Sequence, residues 1–368
     1  MKLAAVLLAC VSTCLAADPK AVDELEKALS LAHQGKYELA LPHYLAARAL
    51  DPALAGLDLD LGLAYFKLNR LPEAAAAFER AVKADPSSFQ AQALLGMTDF
   101  GCRKFDAAAE HLRIASDQQP DNLELRYKLA QSYLWSKQVP EATAEFRELL
   151  ARKPDSGPVH MLLGEVLDAA GREDEATAEF QAAVKASPNE PEFLFGLGYV
   201  YWRQMRYEDA RREFQIEVAS QPALFQGDSQ ALAYLGDTEM RAGDNGRAAS
   251  HLRQALKADP SLRLAHLDLG IVLAASGHSA GAETEFNEAI RLDPSRPDAH
   301  YRLGRLLLSL GRQKEADAEL VKVKELGTEQ PPPPLIAIPG YKGEGAPALI
   351  AMPEHNGEPA RPGQPPQK

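Results

Sequence analysis

Cysteine is scarce in this 368-residue sequence: there are three, and Cys10 and Cys14 both fall within the first sixteen residues. The third, Cys102, then has no cysteine left for an internal disulfide and none nearby to share a metal. No Cys-x-x-Cys, His-Glu-x-x-His or acidic calcium loop occurs, so the usual metal-site spacings are missing. There is no phosphate-cradling glycine loop and no strained Gly-x-Ser-x-Gly turn. Gly196-Leu197-Gly198 lacks the third glycine and the preceding strand of a dinucleotide fingerprint. Positive charge is in deficit, with 40 basic against 52 acidic residues and a formal charge of -12. No basic stripe stands ready to neutralise a phosphate backbone. No stretch reaches the roughly 18 uninterrupted apolar residues of a membrane span. The expectation is a non-enzyme without cofactor or metal, binding neither nucleic acid nor the bilayer core.

The N-terminus has its own pattern. Lys2 is the only charge in residues 1–16, residues 3–9 are apolar, and Leu15-Ala16-Ala17 precede the polar Asp18-Pro19-Lys20. A basic start, an apolar middle and small residues at a cut site make a secretory signal peptide, cleaved after Ala16 or Ala17. Residues 1–16 are therefore read as the signal, and the mature protein is expected in the periplasm or outside the cell. Leu7-Leu8-Ala9-Cys10 only faintly resembles a lipoprotein box, because the preceding apolar run is short and Leu8 is bulky. Lipid anchoring at Cys10 is not expected.

Proline carries the main signal. It falls at 52, 86, 120, 154, 188 and 222, each 34 residues after the last, and again at 260 and 294 after a four-residue slip. A fixed period of this size marks a solenoid. With each unit's proline numbered 32, units start near 21, 55, 89, 123, 157, 191, 229, 263 and 297. Position 20 is alanine in all nine units, position 8 is glycine or alanine, and position 24 is large (Tyr44, Phe78, Leu112, Phe146, Phe180, Phe214, Leu252, Phe286, Leu320). Positions 4, 7, 8 and 11 share one face of a first helix. Glycine at position 15 (Gly35, Gly171, Gly243, Gly277, Gly311) suits the left-handed residue that ends this helix. Proline then ends the second helix by pushing its predecessor out of the helical region.

The period and these residues resemble the tetratricopeptide repeat family over most of residues 17–328. The resemblance implies an all-α fold: antiparallel helix pairs stacked into a right-handed superhelical solenoid with a concave groove. It implies little about function, since the family mediates protein contacts in many settings. Position 4, often tryptophan in the family, never is here, and His160, His266 and His300 at that position read as structural. Lys27 replaces an expected leucine in unit one, which suits an exposed end. Glu217 stands where a small residue is usual, just before the slip. Most carboxylates are read as surface residues of helices.

Positions 2, 5, 9, 12 and 13 form a second stripe, turned roughly 140° from the packing stripe. The resemblance places it on the concave surface. It carries Phe66, Phe100, Tyr127, Gln131, Trp135, Phe195, Tyr199, Trp202, Arg203, Arg241 and Arg305, with Glu165 and Asp237 nearby. An aromatic surface with arginines is a contact candidate, although some rings could instead wedge between helices. Position 5 holds no lysine to clamp a carboxylate. The expected partner is a protein or peptide segment, extended or helical, apolar or aromatic, with acidic groups near the arginines. The alternative is a cell-envelope assembly factor for polysaccharide export or outer-membrane biogenesis, associated peripherally with the envelope. Residues 223–228 read as a surface loop with Phe225 as a contact candidate. Residues 329–368 read as a disordered Pro/Gly-rich tail. Its apolar islands at 335–338 and 348–352 raise a competing reading, in which one packs on the open end of unit nine.

Overall fold

The computed structural model describes residues 17–220 and 229–327, where every regular element is an α-helix. The signal segment, the 223–228 loop with Phe225 and the tail lie outside the described residues. Helices follow in antiparallel pairs: α1 (Pro19–His33) with α2 (Tyr37–Leu50), α3 (Leu57–Lys67) with α4 (Leu71–Ala84), α5 (Phe89–Gly101) with α6 (Phe105–Gln118), and α7 (Leu123–Trp135) with α8 (Val139–Arg152). Then come α9 (Gly157–Ala169) with α10 (Glu173–Ala186), and α11 (Pro191–Arg203) with α12 (Tyr207–Ser220). The last three pairs are α13 (Ser229–Arg241) with α14 (Asn245–Ala258), α15 (Arg263–Ala275) with α16 (Ser279–Leu292), and α17 (Pro297–Ser309) with α18 (Gln313–Leu326). These eighteen helices make nine pairs, in the register that the prolines predict. The chain divides into two compact units, Met1–Glu145 and Phe146–Lys368.

The turn inside each pair depends on one left-handed residue at position 15. The five expected glycines have φ between +72° and +83°. The other four units place Asn69, Arg103, Lys137 and Met205 there, with φ between 56° and 61°. A side chain costs something in this region, so the turn is imposed by the packed helices on either side and not by glycine alone. Before the repeat proline, Asp51, Asp85, Asp259 and Asp293 are extended with φ near -140°, as a pre-proline residue should be.

Close approach within a pair comes from positions 8, 20 and 24. All nine position-20 alanines have no exposed surface. A Cβ added to Gly270 would lie 2.6 Å from the Phe286 ring, and one added to Gly62 would lie 2.5 Å from Phe78. Glycine is required at those two positions because the ring occupies the space a methyl would need. The position-24 side chains are fully buried from Tyr44 to Phe286; Leu320 in the last pair is only half-buried.

The position-4 histidines are structural, as expected, and each fastens three pieces together. His160 Nδ1 lies 2.6 Å from Glu179 of the paired helix, and its Nε2 lies 2.8 Å from the Pro154 carbonyl of the preceding link. His266 repeats this with Glu285 and Pro260, and His300 with Glu319 and Pro294. Unit one reverses the pair as Glu24–His43, unit three uses Gln92–His111, and unit four uses Arg126–Glu145. One contact between positions 4 and 23 is thus made by different residue types. Lys27 is exposed and paired with Asp23 and Glu24. Glu217 is buried.

Candidate partner-binding surface

The stripe on the first helix of each pair separates into a buried layer and an outer edge. Positions 5 and 9 form the buried layer: Tyr127 and Gln131 in the first compact unit, Phe195 and Tyr199 in the second. Tyr199 has no exposed surface at all. Positions 12 and 13 form the edge, where Phe66, Phe100, Trp135, Trp202 and Arg203 are half-buried and Arg241 is exposed. Arg305, at position 9 of the last pair, is also exposed. All four positions share one face of the helix; what separates them is their place along it, since 12 and 13 lie in the last turn, where α7 ends at Trp135 and α11 at Arg203.

In the first compact unit, Phe105 of α6 joins Phe100 (ring centroids 5.4 Å apart, edge-on) to Trp135 (6.2 Å). Lys128 places its ammonium 4.5 Å over the Phe100 ring and donates to Gln131 at 2.9 Å. The second compact unit has a larger aromatic cluster. Tyr234 of α13 lies 5.0–5.9 Å from Phe195, Tyr199, Trp202 and Phe214. Phe105 and Tyr234 escaped the sequence reading because one is on a second helix and the other at position 6, outside the stripe.

Charges lie beneath and beside these rings. Trp202 Nε1 donates to the Asp237 carboxylate, and Arg241 Nε donates to the same group at 2.7 Å. Asp237 and Asp268 are both buried. Burial pushes the Asp268 carboxyl well above the usual carboxylate range, and Asp237 adds to the rise, while Arg241 and Arg302 oppose it. Arg203 of α11 forms an ion pair with Asp168 of α9, whose side chain is 1% exposed. A minority of carboxylates depart from the surface reading: Glu165, Asp168, Asp237, Glu239 and Asp268 are buried along α9, α13 and α15. Their signal was the relation between units. Asp168 precedes Arg203 by 35 residues, as Trp202 precedes Asp237 and Arg263 precedes Asp298, so each partner sits on the next first helix.

The sign of the Asp268 effect sets a pH dependence. Its folded form holds a proton more tightly than an unfolded aspartate, whose pKa is about 3.9. Above that value the unfolded chain releases its proton first, so this residue lowers stability as pH rises, by at most about 1.4 kcal/mol per pH unit. Asp268→Asn should therefore flatten the stability profile above about pH 4 and leave the chain more stable near neutrality. Urea titrations of both chains across that range test this; parallel profiles would mean that Asp268 does not titrate as described.

Among the described residues, no group of three or more His, Cys, Asp or Glu side chains is placed to hold a metal ion. No described helix is long and apolar enough to cross a membrane. Paired helices in a 34-residue register, with aromatic edges and buried ionic layers on their first helices, define a helical repeat protein. Two sequence signatures described as tetratricopeptide repeat match the chain, one over residues 103–166 and the other over 25–89, 59–98, 161–224, 235–297 and 267–321. The chain belongs to the tetratricopeptide repeat family.

A solved structure agrees on the fold. The Cut9–Hcn1 hetero-tetramer of the APC/C superposes with a TM-score of 0.52 at 16% identity, over 77% of this chain and 55% of that one. PilF of Pseudomonas aeruginosa gives 0.49 at 17% identity, over 57% of this chain and 93% of its own. YrrB, described as a TPR protein with an unusual peptide-binding site, gives 0.41 at 18%, over 49% and 91%. No curated protein matches.

Proposed function

We propose that this protein is a protein-interaction scaffold that binds an extended or helical segment of a partner along the edge residues of its first helices. One observation carries the reading: the half-exposed rings at positions 12 and 13 rest on a buried aromatic and ionic layer that holds them in place. Both tryptophans of the protein, Trp135 and Trp202, are among them. Rings fixed before binding lose little conformational freedom on contact, and tryptophan and arginine dominate interface energetics. Arg241, Arg305 and the 42%-exposed Tyr301 add a cationic and aromatic border suited to acidic groups on the segment. Export to the periplasm or the exterior belongs to this proposal and rests on the sequence of residues 1–17 alone.

The test starts from a partner identified by crosslinking in the native cells. Replacing Trp135 and Trp202 together by alanine should weaken its binding by at least about 30-fold, the effect of removing one strong interface anchor. Helicity measured by circular dichroism should be retained. Unchanged affinity in a folded double variant would remove the edge rings from the binding surface.

A further inference from the structure

Two carboxylates of the second compact unit lie on first helices that touch directly. Asp237 of α13 has no exposed surface, and Asp268 of α15 is 2% exposed. One oxygen of Asp237 serves two donors: Trp202 Nε1 of α11 and Arg241 Nε, at 2.7 Å, both reach its Oδ2. Its Oδ1 and the Oδ2 of Asp268 are buried with no hydrogen-bond partner among the described residues. A buried acceptor without a donor is costly, and two neighbouring carboxylates in a low-dielectric site resist being ionised together. A single proton on the pair removes one of the charges and adds an O–H donor.

The groups around the pair come from several helices. Tyr234 and Arg241 are on α13, Arg302 is on α17, and Tyr199 of α11 meets Tyr234 edge-on, with ring centroids 5.3 Å apart. Tyr207 of α12 lies 4.7 Å from the Arg241 guanidinium. Burial pushes the Tyr199 and Tyr234 hydroxyls well above the usual tyrosine range, so both keep their protons. Guanidinium groups do not deprotonate in proteins. Two histidine pairs lie on these helices as well, Glu239 with His251 of α14 and His266 with Glu285 of α16. Glu239 and His266 each stand two residues from an aspartate and so on the other side of its helix. The carboxylates are thus the groups of this layer that can change charge between mild acid and mild alkali. Arg241 faces both of them. A charge on Asp268 draws Arg241 away from Asp237, and a second buried charge draws water between α13 and α15.

We propose that Asp237 and Asp268 hold one proton between them, and that this proton fixes Trp202 and Arg241 at the edge of the candidate surface. With the proton bound, both donors stay on Asp237; with it lost, the layer hydrates and the two edge residues loosen. The surface is then firmer in acid than in alkali. This regulation of binding rests on the edge being the binding surface, whereas the link between the proton and Trp202 does not.

Tryptophan fluorescence of the full chain, without a partner, tests the link. Trp135→Phe leaves Trp202 as the only tryptophan. Its emission should move to longer wavelength, and acrylamide quenching should rise at least about twofold, in one step between about pH 5 and 9. Asp268→Asn keeps the shape of the side chain and cannot ionise. In the same background it should abolish the step and hold Trp202 in its low-pH emission, with helicity by circular dichroism unchanged. Arg302→Gln alters an exposed residue and should move the step to higher pH, because a cation that favours the ionised pair is gone. A flat profile in the Trp135→Phe chain would overturn the proposal. So would a step that persists in folded Asp268→Asn, which would assign it to His251 or His266. The alanine variants of Trp135 and Trp202 test the binding surface separately, so a missing proton link and a wrong binding surface give different results.

Discussion

Phe180→Ala should lower the stability of the second compact unit by about 3–5 kcal/mol, the cost of emptying a large buried aromatic site. Phe180 of α10 is fully buried, and its ring fills the space over two glycines on different helices. A Cβ at Gly164 of α9 would lie 2.9 Å from it, and one at Gly196 of α11 would lie 3.3 Å away. The same ring therefore joins α10 to its own partner and to the next pair. Its removal leaves a void beside two glycines, whose backbone cannot move into it as a neighbouring leucine could. Because each repeat is stabilised mainly by its neighbours, the loss should also broaden the unfolding transition. Urea unfolding followed by circular dichroism reads both effects. A loss below about 1 kcal/mol, the range of ordinary surface changes, would show that the ring is not the joint described.

Arg203→Met should be nearly as costly, for an electrostatic reason. Asp168 has a side chain only 1% exposed and is paired with the Arg203 guanidinium, itself 16% exposed. Glu173 lies 3.7 Å from the same guanidinium. Removing the cation leaves a carboxylate in a low-dielectric site without this counter-charge, which costs about 3–5 kcal/mol when a buried pair is broken. Exposed pairs such as Arg70–Glu73 should by contrast contribute little, because water screens them. Combining Arg203→Met with Asp168→Leu should recover most of the loss, because replacing both charges by apolar groups removes the desolvation penalty together with the attraction. The measurement is again the urea midpoint, now for the two single variants and the double. If the double variant is as unstable as Arg203→Met, the cost lies in lost packing of the arginine stem and not in the lost counter-charge.

The repeat register was legible because it rests on residues that no neighbour can replace. Alanine at position 20, a small residue at position 8 and the proline at position 32 each answer a local steric demand, and those demands recur every 34 residues. The position-4 histidines could also be assigned to structure without coordinates. Their glutamate partners nineteen residues later were present in the sequence, but Gln92–His111 and Arg126–Glu145 make the same contact with other residues and conceal the pattern. Position 15 was half legible. Glycine announces a left-handed turn, whereas Asn69, Arg103, Lys137 and Met205 adopt one without announcing it.

The candidate surface was less legible. Its stripe lies on the first helices, yet sequence could not tell that Tyr127, Phe195 and Tyr199 are buried while Phe66, Phe100, Trp135 and Trp202 keep exposed edges. Tyr234 and Asp268 were missed for the same reason. Both lie at position 6, which points to solvent on an isolated helix and to a neighbour once a second first helix packs alongside.

Residue order by itself determined the period, the helix pairs, the turn positions and the absence of any familiar metal or phosphate motif, because these follow from steric rules acting within one repeat. Tertiary structure alone decided which rings are foundation and which are edge, and which carboxylates give up solvent to join arginines or one another. Those outcomes depend on groups about 34 residues apart in the chain and in contact in space, and one helix contains no record of what its neighbour will cover.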